Sequence, residues 1–106
     1  MSLDNINIVD AVGTEISTGC VVLNILDPWD WTDEALHIDR LRQKISRYVE
    51  FVKSGQLQED YPDAFGRSLR IEVVGRFPLP LTGKQFLEAA SPTITSGVAL
   101  TWRHLP

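Results

Sequence analysis

The chain has one cysteine, Cys20. No intrachain disulfide can form, and a reducing compartment is the simplest home for such a protein. With no His or basic residue near it in sequence to activate it, Cys20 reads as a structural, partly buried thiol. Long apolar runs are missing too: none approaches the roughly 20 residues a bilayer span requires. The first ten residues carry Asp4 and Asp10 and no Lys or Arg, which is unlike a secretion signal. A cytoplasmic protein that neither spans a membrane nor is anchored to one is expected. There is no excess of positive charge either. Ten Lys and Arg stand against fourteen Asp and Glu, a net charge of −4, which opposes the phosphate neutralisation behind most nucleic-acid affinity. Nucleic acid is therefore not an expected partner. No GxSxG, HExxH, paired-cysteine or phosphate-cradling glycine pattern occurs, so no known catalytic or cofactor motif points to an enzyme.

The remaining composition is that of an ordinary globular protein, with 43% apolar and 23% charged residues. At 106 residues the chain reads as one domain, residues 1–106, long enough to bury roughly two-thirds of its unfolded surface. Val9–Ile16 and Cys20–Leu26 are β-branched and apolar, and Ser17-Thr18-Gly19 between them predicts a hairpin. The second of these strands is apolar on both faces and is expected to be central. Thr32 is placed to cap a helix whose first turn holds Asp33 and Glu34. Ile38, Leu41, Ile45, Tyr48, Val49 and Val52 then form a stripe at three- and four-residue spacing, and Ser54-Gly55 stops it. Arg40, Arg42, Lys44 and Arg47, interleaved with Asp33, Glu34, Asp39 and Glu50, read as a solvated helix face.

Residues Gln56–Ser68 form a polar connector. Leu69, Ile71, Val73 and Phe77 alternate with Arg70, Glu72, Val74 and Arg76 as a half-buried strand that Pro78 and Pro80 end. Thr82 and Gln85 have capping-box spacing before a short helix containing Phe86, Leu87 and Ala90. After a loop, Val98, Leu100 and Trp102 mark a last strand. The fold class is α+β, a two-layer sandwich in ββαβαβ order, with two helices on one face of a four-stranded sheet.

Val21, Leu23, Ile25, Asp27, Trp29, Trp31, His37, Leu41, Gln43-Lys44-Ile45, Tyr48, Phe51-Val52, Ser54-Gly55, Pro62, Ala64 and Gly66 form a combination that resembles a family of small bacterial proteins known only as a domain of unknown function. The likeness runs from about Val9 to Val74. It implies a compact α+β domain and carries over no activity, cofactor or site residue.

Chemistry is concentrated in Asp27-Pro28-Trp29-Asp30-Trp31-Thr32-Asp33-Glu34, between a strand end and a helix start, with His37 one turn later. Asp27, Asp30 and His37 offer metal-type donors, but no ligand spacing supports a metal, and no cofactor is expected. The two indoles either close the core or serve as an interface anchor, one pointing inward and the other partly exposed. A second acidic and aromatic cluster, including Tyr61 and Phe65, follows a helix of about 22 residues, so the clusters stand roughly 33 Å apart. His104 reads as exposed. These features point to a non-enzymatic protein-interaction domain, in one version an acidic antidote or immunity-type partner of a basic protein. Its binding residues are Asp27, Trp29, Asp30, Trp31, His37, Tyr61 and Phe65. The rival is a small hydrolase or metal-dependent enzyme using Asp27, Asp30 and His37. Monomer or homodimer stays open.

Overall fold

In the computed structural model, which describes residues 2–94 and 97–106, the apolar runs become strands β1 (Ala11–Thr14), β2 (Val21–Asp27), β3 (Leu69–Gly75) and β4 (Val98–His104). They form one sheet in the order β1-β2-β3-β4. The hairpin makes β1 antiparallel to β2, while β2, β3 and β4 run parallel. Helices α1 (Glu34–Lys53) and α3 (Leu81–Ala90) provide the two crossovers that parallel strands require. The fold is the expected α+β sheet-and-helix arrangement with β2 inside the sheet.

The helical stripe packs where its spacing directs it. Leu41, Ile45 and Tyr48 share one buried cluster with Leu23, Ile25, Ile71 and Val73, and Val52 packs against its edge. Leu3, from a short 3-10 turn over Ser2–Asp4, completes the cluster.

Several expectations are corrected. The cap of α1 is Asp33, whose carboxylate accepts the Leu36 N–H at 3.1 Å; the Thr32 N–H is held instead by the Asp30 side chain at 3.0 Å. The hairpin turn closes early, at Glu15, through bonds to Cys20 and Gly19 of 2.8 Å each, so Ile16 lies in the turn, fully exposed. Gly19 takes a left-handed φ of 74° to allow this. Within the connector, Gly55 at φ 86° restarts the chain as α2 (Gln56–Asp60), which is pinned by its one apolar residue, the buried Leu57. At α3 no capping box forms. The Thr82 hydroxyl instead donates to the Glu34 carboxylate on α1. Phe77 lies past the end of β3 and is exposed.

Lys44 is the largest departure, because it is buried with no exposed surface rather than solvated. Its position, three residues after Leu41 and four before Tyr48, puts it on the inner face of α1. The N-terminal arm supplies its partners. Lys44 Nζ lies 2.9 Å from Asp10 Oδ1 and 3.1 Å from the Asn5 carbonyl. The other Asp10 oxygen accepts the Leu26 N–H at 3.0 Å. Beside it the Tyr48 hydroxyl donates to the Asn24 carbonyl at 2.6 Å and accepts the Asp10 N–H at 2.8 Å. Burial pushes the Tyr48 pKa well above the ordinary tyrosine value. This network fastens the arm to the helix and to β2.

Candidate functional site

Asp27 is the last residue of β2, at the carboxyl end of the parallel strands, and only 3% exposed. Its Oδ1 accepts the Trp29 N–H at 3.1 Å, so the chain turns back over the carboxylate. That turn continues through Asp30, whose exposed side chain accepts the Thr32 N–H. This bond is the main cause holding its carboxyl below the usual aspartate range. One turn into α1, His37 is 1% exposed and points at the turn. Its Nε2 lies 2.5 Å from Asp27 Oδ2 and its Nδ1 lies 2.9 Å from the Asp30 carbonyl oxygen.

The protonation pattern follows from the partners. A carbonyl oxygen only accepts, so Nδ1 carries a hydrogen. The Nε2 to Oδ2 contact then needs a second proton between its two atoms, borne by either ring or carboxyl group. The Trp31 ring stacks on the imidazole with centroids 3.6 Å apart at 14°, and the Trp29 ring meets it edge-on at 5.8 Å and 68°. Both indoles are half-buried. The backbone of α3 also closes on this assembly at Gly83, where a Cβ would lie 3.1 Å from the Trp31 ring and 2.6 Å from Leu79.

Asp27, Trp29, Asp30, Trp31 and His37 are thus brought together, with Asp27 and His37 buried, the two indoles half-buried and the Asp30 side chain exposed. The carboxylate of Asp27 and both ring nitrogens are engaged, and the imidazole has an indole against it on two sides. Such an arrangement locks the strand end to the helix start. A general base needs a proton to take from a substrate within reach, and His37 presents no free nitrogen. Among the described residues, no group of three or more His, Cys, Asp or Glu side chains is placed to hold a metal ion.

Tyr61 and Phe65 lie elsewhere. Their connector leads into the amino end of β3 at Leu69, which pairs with Val21, one seven-residue strand away from Asp27, or about 20 Å. Here the chain faces outward. Ala64 is buried, while Tyr61 is 44% and Phe65 79% exposed. Arg67 fixes the loop: its Nε donates to the Asp63 carbonyl at 2.8 Å and its Nη1 donates to the Gly19 carbonyl of the hairpin turn at 3.2 Å. The loop and the turn that bears Ile16 are therefore one tied unit. Glu59, Asp60 and Asp63 stand exposed around it, and Arg70 holds the Glu15 carboxyl, 3.0 Å away, below the usual glutamate range.

Sequence reasoning passed over Ile16 because it read as the end of a strand. It also passed over a shallow groove at the opposite end, lined in part by Ile8, Leu26, Val74, Leu105 and Arg76. The apolar reverse face of β2 was the available signal for that groove. No helix among the described residues is long and apolar enough to cross a membrane.

A family model described as "Family of unknown function (DUF6572)" matches residues 1–105. No curated protein and no solved structure matches the chain.

Proposed function

We infer that this chain, which belongs to the DUF6572 family of unknown function, is a non-enzymatic protein-interaction domain whose docking surface is the end carrying Phe65, Tyr61 and Ile16. The observation that carries this reading is Phe65, an aromatic side chain 79% exposed on a loop that Arg67 pins on both sides. Because the backbone beneath it is already tied down, docking through Phe65 orders less chain on binding. Exposed aromatics of this kind are typical interface anchors.

The rim suggests the partner. Glu59, Asp60 and Asp63 are exposed and next to the aromatic pair in sequence, and carboxylates near an apolar anchor favour and steer a basic protein that offers an apolar cleft. An antidote-type role toward a basic partner fits that chemistry. The enzyme reading has less support, because Asp27 and His37 direct their polar atoms at each other and at backbone.

The test is capture of a partner from the native host by immobilised chain, with Phe65→Ser as the matched control. Phe65→Ser should weaken retention roughly 30-fold or more, as at a hot spot of about 2 kcal/mol, while the folded state stays intact. Equal retention by both chains contradicts the proposal.

A further inference from the structure

Strand β4 closes the sheet on one side, and its register fixes which backbone groups face outward. Leu105 N–H donates to the Gly75 carbonyl at 2.8 Å, and Gly75 lies opposite His104. In a parallel ladder this turns the N–H and C=O groups of residues 99, 101 and 103 toward β3. Those of Val98, Leu100, Trp102 and His104 point away from the sheet. No hydrogen bond from the described residues reaches these outward groups. The other edge is different: β1 has only four residues, and connector residues Asp60–Ala64 flank it across a narrow groove. Short or flanked edges resist pairing with another chain, whereas a long open edge is a template for it. β4 has seven residues and contains no proline. Its exposed Arg103 is occupied by Glu72 at 3.5 Å.

We propose that β4 pairs antiparallel with β4 of a second copy of this chain, joining two four-stranded sheets into one of eight. A single register uses every outward group on both strands. Val98 faces His104 of the second copy, Leu100 faces Trp102 of the second copy, and the two-fold axis passes through Thr101. Each outward pair then exchanges both of its backbone hydrogen bonds.

The side chains agree with this register. Thr101 meets its own counterpart in a close, non-hydrogen-bonded pair with Cα atoms about 4.5 Å apart. The half-buried Thr101 side chains then lie side by side on the open face, and Thr–Thr is a favourable cross-strand pairing. On the helix side, half-buried Leu100 and Trp102 cover each other at the rim of the core. On the open side Arg103 falls opposite Ala99, so no like charges meet across the axis. The surface bearing Phe65 and Ile16 lies toward the β1 edge, and the dimer leaves it free.

Sedimentation velocity across a micromolar concentration series tests the proposal with the wild type, Thr101→Lys and Thr101→Asp. Wild type should be a dimer at the upper concentrations. Each variant alone places like charges on the axis and should dissociate at concentrations at least tenfold higher, with an unchanged circular dichroism spectrum. An equimolar mixture of the two variants should recover the dimer. Thr101→Cys with Cys20→Ser gives a second readout that does not depend on either charged variant folding. Mild oxidation should link it to itself, since Cα atoms at about 4.5 Å lie within disulfide reach, and Thr14→Cys in the same background should stay unlinked. A wild type that remains monomeric throughout, a dimer indifferent to folded Thr101→Lys, or a Thr101→Cys chain that does not cross-link overturns the proposal. So does a β4 edge occupied by another protein instead of a second copy.

Discussion

His37 and Asp27 face each other across 2.5 Å in the interior, one from the first turns of α1 and the other from the last position of β2. With Nδ1–H committed to the Asp30 carbonyl, the pair must keep a proton between its members. His37→Leu removes the partner and leaves a buried carboxyl oxygen unsatisfied, which should cost about 3 kcal/mol or more. Asp27→Asn should be much milder, about 1 kcal/mol, because the Asn amide can donate to Nε2 of the neutral ring. Urea denaturation of both variants checks the contrast. Equal losses would mean that the protonation pattern is not the one derived from the partners.

Lys44 should be equally intolerant of change. Lys44→Met keeps most of the side-chain volume but leaves Asp10 without its ammonium, at an expected cost of about 3–5 kcal/mol. A solvated lysine on an outer helix face would lose less than about 0.5 kcal/mol, so chemical denaturation separates the two cases clearly.

Tyr48 links stability to alkaline pH. Its folded pKa is raised above the ordinary value near 10, first by burial. Above that value the unfolded chain loses a proton that the folded chain retains, so stability is fully present below pH about 10 and declines as pH rises further. In Tyr48→Phe this alkaline component should be absent, although the lost hydrogen bonds lower stability at neutral pH by about 1–3 kcal/mol. Denaturation midpoints of the two chains between neutral and strongly alkaline pH are the measurement. Parallel profiles would contradict the prediction.

Leu41→Ala and Ile45→Ala should each cost about 2–5 kcal/mol, since both side chains sit in the cluster beneath the sheet. That stripe could be read from the sequence because helical periodicity depends only on spacing. The same letters hid Lys44: a basic residue among charged neighbours looks solvated, and only the N-terminal arm, folded back with Asp10 and Asn5, makes its burial tenable. Helix α2 was invisible for the opposite reason, being polar apart from Leu57. In the candidate site, the gathering of Asp27, Asp30, His37 and the two indoles was legible from their closeness in sequence. The burial of Asp27 and His37 was not, because it depends on the carboxylate of Asp27 pointing into the core at the strand's last residue and on α3 closing over Trp31 at Gly83. The other cluster, at Tyr61 and Phe65, does stand apart from the first, but α1 has 20 residues and the separation is the length of one strand, about 20 Å rather than roughly 33 Å; its tie to Ile16 through Arg67 and Gly19 joins residues 48 positions apart, a distance at which no local pattern operates.

The most direct test of the docking surface is a paired measurement on Phe65→Ser: unfolding free energy by urea denaturation and affinity for the captured partner by titration. The predicted result is a stability within about 0.5 kcal/mol of wild type together with an affinity loss of about 2 kcal/mol or more. Wild-type affinity in a folded Phe65→Ser chain would contradict it, as would a loss of stability as large as the loss of binding.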